Sequence, residues 1–363
     1  MRCKVIYIMI VFSIIAGIDK ILNNRFGLGE KFDEGFKALG ELALTIIGIY
    51  SLSPIIGKKL VFLLDPLAKL IKVDPSVFLS SILAVDLGGY ATSMEIAHSE
   101  IIGRFNGLIL ASILGATISF TIPVAVGFIS NEDFKFFAKG TLAGIITIPL
   151  GMIVGGVMMG IEFIDIILNL IPVIIFSIII IWGLFKSPNN MIKVFSIIGR
   201  IIIIISTIGL IANIISFMFG YNLIKGILPI EEGAMLVVKI GIILSGAYPM
   251  FHFLSKILNK YLSKIGKEFG LDDYSILGIL SSLANCIPML GIYHKMNEKG
   301  KILNASFVVS GAFTFGGQLG YISSVSEETV APFIASKLVA GVSAIFVAML
   351  LIRLENSKDD SNI

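Results

Sequence analysis

The run IIIIISTIGLIANIISFMFGYNLI, residues 201–224, contains no Asp, Glu, Lys or Arg. A bilayer core of about 30 Å is crossed by about 20 mostly apolar helical residues, so this run is long enough to span. Residues 105–131, 140–161, 166–185, 274–294 and 302–326 are equally free of charged side chains. Residues 42–57 and 240–255 reach spanning length with their flanks, and 5–18 extends through Asp19 to Leu22. Residues 329–352 span if Lys337 is tolerated, and 75–97 carry Asp86 and Glu95. The sum is about eleven spans. The runs are continuously apolar, without a period of two, so the fold class is all-α: a polytopic membrane helical bundle.

Composition agrees. Of 363 residues, 56% are apolar and 15% charged, against about 25% charged in soluble domains. Mean hydropathy is +0.96. This excludes an ordinary soluble enzyme, a disordered chain and a disulfide-stapled domain. A net charge of +3 on so apolar a chain gives no footing for nucleic acid. Cys3 and Cys286 lie far apart and suggest neither a disulfide framework nor a zinc site. The N-terminus lacks a small-x-small cleavage site after its apolar run and is expected to stay as a first helix. Placing Arg2, Lys4, Lys58 to Lys72, Lys186 to Arg200 and Lys256 to Lys267 in the cytoplasm puts 16 basic residues inside against 12 outside. The N-terminus is then cytoplasmic.

An internal repeat is expected. Glu34-Gly35 matches Glu232-Gly233, and Gly48 and Tyr50 match Gly246 and Tyr248, all at an offset of 198. Asp74-Pro-Ser76 matches Asp273-Tyr-Ser275 at 199, and Ala143-Gly144 matches Ala340-Gly341 at 197. The domains expected are repeat one over 1–160, a linking helix over 163–185 and repeat two over 190–355. Such repeats mark secondary transporters. Five spans each plus a linker make the repeats parallel; if one span is a re-entrant hairpin, they become inverted.

Each repeat has two interrupted helices: at Asp86-Leu-Gly88-Gly89-Tyr90 and Thr121-Ile-Pro123, then at Asn285-Cys-Ile-Pro288 and Gly316-Gly317-Gln318-Leu-Gly320. Freed backbone groups at membrane depth need protein or a wet cavity around them, and matched interruptions point to a transport site. Glycines also serve close helix packing, as Gly151-x-x-x-Gly155 does. Asp86 is the sharpest residue. A carboxylate in mid-span costs about 2.5–3.5 kcal/mol and needs a partner, a proton or a cationic ligand. It could instead cap the following helix. Asn285, its counterpart, offers an uncharged donor and acceptor. Tyr90 and Tyr321 lie near the breaks, where a ring could face a cation. Glu95 and His98 form one E-x-x-H pair without the partners of a di-iron centre, so no metal is expected. No nucleotide loop, H-E-x-x-H or G-x-S-x-G occurs, which disfavours an enzyme. No cofactor is implied.

The chain resembles the ethanolamine-utilisation permease family (EutH) on these same residues. Gly27-Leu-Gly-Glu30, Glu34-Gly35-Phe36 and Asp86-Leu-Gly-Gly-Tyr90 carry the first half. Ile122-Pro-Val-Ala125, Leu142 to Pro149 and Asn169 to Ile175 continue it, and Leu283 to Met289 and Gly300 to Asn304 carry the second. One departure is Gly317-Gln318, where the family more usually has an Asp-His pair. The resemblance implies a multi-pass bacterial cytoplasmic (inner) membrane protein that passes ethanolamine into the cell. Its substrate is a small protonated amino alcohol. Asp86 would oppose the ammonium, Asn285, Gln318 or Thr121 would address the hydroxyl, and carbonyls around Gly88 and Gly89 would add acceptors. Passage could be by alternating access or facilitated. The alternatives are a proton- or sodium-coupled symporter of another small solute and, from another class, an intramembrane lipid-modifying enzyme. The expected partners are a small amine and the lipid bilayer; a homo-oligomer is left open.

Overall fold

The computed structural model describes residues 4–360; Arg2 and Cys3 lie outside the described residues. All described elements are helices. In chain order they are α1 Lys4–Ile21, α2 Leu28–Ile71, α3 Ser76–Ser80, and α4 Tyr90–Ile96, entered through a π turn at Val85–Gly89. Then follow α5 Glu100–Phe128, α6 Phe134–Met158, α7 Phe163–Lys186, α8 Pro188–Phe219 and α9 Ile230–Glu268. The chain ends with α10 Asp273–Ser282, α11 Cys286–Ile292, α12 Glu298–Gly311, α13 Gly317–Val325 and α14 Val330–Asp360.

Among the described residues, seven helices are long and apolar enough to cross a membrane: α2, α5, α6, α7, α8, α9 and the helix around α14. Two of the four spans by which the count falls short of eleven are missing for a physical reason. Residues 75–97 and 274–294 are each as long as a span, yet each doubles back. Asp74 accepts from Ser76 N at 2.9 Å and from His98 N at 2.8 Å, so the two ends of the first segment meet. Ser80 and Ser93 share a hydrogen bond of 2.6 Å across it. Asp272 does the same for the second, accepting from Ser275 N at 2.7 Å and Asn297 N at 2.5 Å. Both segments are helical hairpins, α3–α4 and α10–α11, each closed at its base by one aspartate.

The first hairpin tip is fastened to α5, which runs unbroken through the interruption expected at Thr121-Ile-Pro123 because Pro123 sits within helical backbone, and the second tip to the break between α12 and α13. Ala84 N donates to Ser119 Oγ on α5, and Ser119 Oγ donates to Gly115 O. At the second tip, Phe313 N donates to Ser282 O and Phe315 N to Leu283 O. These contacts require close approach. A Cβ on Gly115 would stand 2.1 Å from Leu83 O, and one on Gly316 would stand 1.9 Å from Ala284 O.

The core lies between the long helices. On α2 and α9, Gly35 meets Ser245, Leu39 meets Gly241 and Ile47 meets Gly233, so the two run antiparallel. α6 and α14 are also antiparallel: Thr147 Oγ1 donates to Ala340 O, and Ser336 Oγ donates to Gly151 O. The π-helical stretch of α5 over Phe105–Gly115 is buried throughout.

The packing at Gly316 is testable. Gly316→Ala drives a methyl group into the hairpin-tip carbonyl and should cost about 1–3 kcal/mol, the usual price of overpacking. At Gly317 an added Cβ meets nothing within 4 Å, so Gly317→Ala should leave stability unchanged. Thermal unfolding of both purified variants in one detergent checks this; equal midpoints would end the claim of a pinned tip.

Candidate functional site

A cavity of about 190 Å³ opens where the two hairpin tips approach α2 and α9. Asp86 and Leu87 enter it from the first tip, and Ala284, Asn285 and Ile287 from the second. α2 contributes Glu41 and Thr45, α5 Phe120 and α9 Tyr248, and the break between α12 and α13 contributes Phe313, Gly317 and Gln318. Drug-sized ligand sites run to about 300–1,000 Å³, so this cavity suits a solute of a few heavy atoms.

Two carboxylates, Asp86 and Glu41, share one small space. Among the described residues no ion pair reaches either of them within 4.0 Å. Asn285 caps α11, accepting from Ile287 N through Oδ1 at 2.9 Å, and its amide donors remain for a ligand. Phe120 and Phe313 meet edge to face at 5.6 Å, and with Tyr248 they offer ring faces to an ammonium.

Three of the residues singled out from sequence therefore line the cavity: Asp86, Asn285 and Gln318. The other five lie behind it. Gly88 takes a left-handed φ of 93° beneath Ile49, which shapes the bend after Asp86. Gly89 is buried against the Leu83 and Ala84 carbonyls and Ala111. Tyr90 meets Tyr321 edge to face at 6.2 Å, and Tyr321 is 2% exposed. Thr121 is buried in α5, one residue beyond Phe120, which takes the lining position. Sequence reasoning missed Glu41, Tyr248 and Phe313. Glu41 was legible, as an acid within the extended second span, and Tyr248 stood in the repeat match to Tyr50.

A second cavity shares Tyr248, Ala284 and Asn285 with the first and reaches Lys31, Glu34, His252 and Ser255 near the start of α2. It provides a path from one end of the bundle to the second hairpin tip. His98, the histidine of the E-x-x-H pair, has its Nε2 3.0 Å from Asp65 at the base of the first hairpin. No cluster of three or more metal-ligating side chains occurs among the described residues.

No solved structure matches this chain. A relative from Listeria monocytogenes, named probable ethanolamine permease EutH, is 42% identical over 96% of this chain and 93% of its own. A relative of the same name from Escherichia coli K12 is 36% identical over 97% of this chain and 96% of its own. An uncharacterised protein of Bacillus subtilis, YxeR, is 39% identical over 99% and 97%. The family model described as ethanolamine utilisation protein, EutH, matches residues 1–351. With one family pattern running through both hairpins and the cavity between them, this multi-pass membrane chain belongs to the EutH family.

Proposed function

We propose that this chain is an ethanolamine permease whose substrate rests in the cavity between the two hairpin tips. The observation that carries the reading is the pairing of two unbridged carboxylates, Asp86 and Glu41, with amides and aromatic faces in a space of about 190 Å³. Ethanolamine is a protonated amine with one hydroxyl. Its ammonium suits Asp86 and Glu41, and the Phe120–Phe313 pair suits the methylene beside the charge. Asn285 and Gln318 suit the hydroxyl. The relatives from Listeria monocytogenes and Escherichia coli carry the name of a permease, which leaves the lipid-modifying enzyme without support.

We further read the chain as two inverted repeats, α1–α6 and α8–α14, linked by α7. Matched bonds support this. Asp74 and Asp272 close equivalent hairpins, and the ion pair Lys301–Asp133 at 2.5 Å has its counterpart in Arg104–Glu328. The contact of Gly35 with Ser245 becomes that of Ile47 with Gly233 when the repeats are exchanged at an offset of 198. Equivalent helices crossing antiparallel in this way are related by an axis in the membrane plane. The seven long helices, with α1 and the α12–α13 segment, then make nine passes, with two re-entrant hairpins. Two related halves of opposite orientation suit alternating access around the fixed cavity.

Nine passes also reverse the orientation expected from eleven. Among the described residues, Lys4, Lys58, Lys59, Lys69, Lys72, Arg104 and Lys225 fall on the face where α1 starts. Lys239 and Lys337 lie inside the spans of α9 and α14, and the remaining 18 of the 27 basic residues described fall on the opposite face. The positive-inside tendency then places the N-terminus outside and the C-terminus in the cytoplasm. The path past Lys31 and Glu34 opens inward.

Two measurements test these readings. Asp86→Asn keeps the shape but removes a charge-assisted bond, and uptake of labelled ethanolamine into proteoliposomes should fall about tenfold or more, the equivalent of about 1.4 kcal/mol or more. Undiminished uptake would remove Asp86 from the substrate site. For the topology, Lys72→Cys and Ser99→Cys should both react with an impermeant thiol reagent added outside intact cells, and Asn24→Cys and Lys299→Cys should not. Labelling of Lys72→Cys and Ser99→Cys from opposite sides would end the hairpin reading.

A further inference from the structure

Lys337 is 1% exposed, about two turns into α14. Its Nζ donates to Ser112 O on α5 at 2.6 Å and to Oε1 of the cavity-lining Gln318 at 2.8 Å, and it stands 5.6 Å from the Phe333 ring centroid. Both hydrogen-bond acceptors are uncharged. Among the described residues no carboxylate comes within 4.0 Å of it. Asp86 lines the same cavity as Gln318, the residue that Lys337 holds. A lysine at membrane depth that serves only packing is a poor design, because an ammonium in a dry interior needs a counter-charge. The substrate reading above gives the ligand's ammonium Asp86 and Glu41. Lys337 and the bound amine would then be two ammonium groups drawing on the same two carboxylates of the cavity wall.

We propose that Lys337 is the resident cation of the site, and that an entering amine cation displaces the Lys337 proton, so that transport exchanges one amine cation for one proton. This rests on the ethanolamine reading. The N–H electron pair stays on Nζ, the proton passes to water in the cavity and so to one side of the membrane, and no bond to the amine forms. The neutral Lys337 amine retains two N–H donors, enough to keep both the Ser112 and Gln318 bonds. The local structure therefore does not have to rearrange when the charge leaves. By linkage, proton binding at Lys337 and amine binding at Asp86 weaken each other by the same factor.

The surroundings offer few other groups to carry this role. Asp86 and, farther along the cavity wall, Glu41 are the acids. Tyr90 on α4 and Tyr321 on α13 pack on one another. At this depth α6 faces α14 with Gly151 and Thr147, and α12 with Phe307 and Gly311.

The test uses full-length protein in proteoliposomes, with labelled ethanolamine on one side and a pH-reporting dye trapped within. Protein-free liposomes subtract passive entry of uncharged amine. Wild type should move about one proton outward for each amine cation taken up. Lys337→Met, and Lys337→Gln as a variant that keeps a donor for Gln318, should still equilibrate amine down its gradient. They should move no protons, and their half-saturating amine concentration should fall about tenfold. Lys337→Arg fixes the charge and should raise that concentration about tenfold. A structural lysine would instead lower uptake in all three variants without separating their signs. Proton movement at the wild-type ratio in Lys337→Met, or the same direction of change in Met and Arg variants, overturns the proposal. Wild-type uptake of ethanolamine without protons also overturns it while leaving the permease reading intact. Wild type that takes up no more ethanolamine than empty liposomes overturns both.

Discussion

Backbone N–H and C=O groups have no water to turn to in a bilayer, and this constraint governs where the chain can be irregular. Broken helix is tolerated at membrane depth only where protein or a hydrated cavity satisfies it. The two hairpins bring non-helical backbone deep into the bundle, and each is secured at both ends. An aspartate gathers the N–H groups at its base. At the tip, Ser119 receives Ala84 N, and the Ser282 and Leu283 carbonyls receive Phe313 N and Phe315 N. The site exists because these bonds hold two irregular tips against one another with a small space between.

The two hairpin tips bring unequal chemistry to the cavity. Asp86 faces it from the first tip and Asn285 from the second, one a carboxylate and one an amide. Glu41 adds a second acid from α2, while Lys337 sits behind Gln318 on the other side. The cavity therefore has carboxylates and ring faces on its wall and a buried lysine behind Gln318.

Much of this was written in the sequence, and the failures have identifiable causes. Charge-free runs revealed the membrane class, because apolar length alone reports it. The hairpins were hidden because a re-entrant pair of half-helices and a single broken span have the same length and composition; the distinction lies in Asp74 reaching His98 N and Asp272 reaching Asn297 N, contacts across about a full span of chain. Asp86, Asn285 and Gln318 were legible as polar residues at matched breaks. Gly88, Gly89, Tyr90, Thr121 and Tyr321 shared those breaks but turn into the packing, since a bend presents one side to the cavity and the other to the protein. Lys337 was visible as a flaw in an apolar run, and only its hydrogen bond to Gln318 connects it to the site.

That connection gives meaning to the sequence's departure at Gly317-Gln318. The resemblance implies an Asp-His pair there in relatives, two groups that titrate. Here the glycine contributes only backbone to the cavity, and the glutamine amide accepts from Lys337. A neutral acceptor leaves the ammonium dependent on the more distant Asp86 for charge balance. Had an aspartate stood beside Lys337, the lysine could have been neutralised on the spot and Asp86 left wholly to the substrate. With Gln318 in place, the site's charge balance must be shared across the cavity, which couples whatever enters it to the state of Lys337.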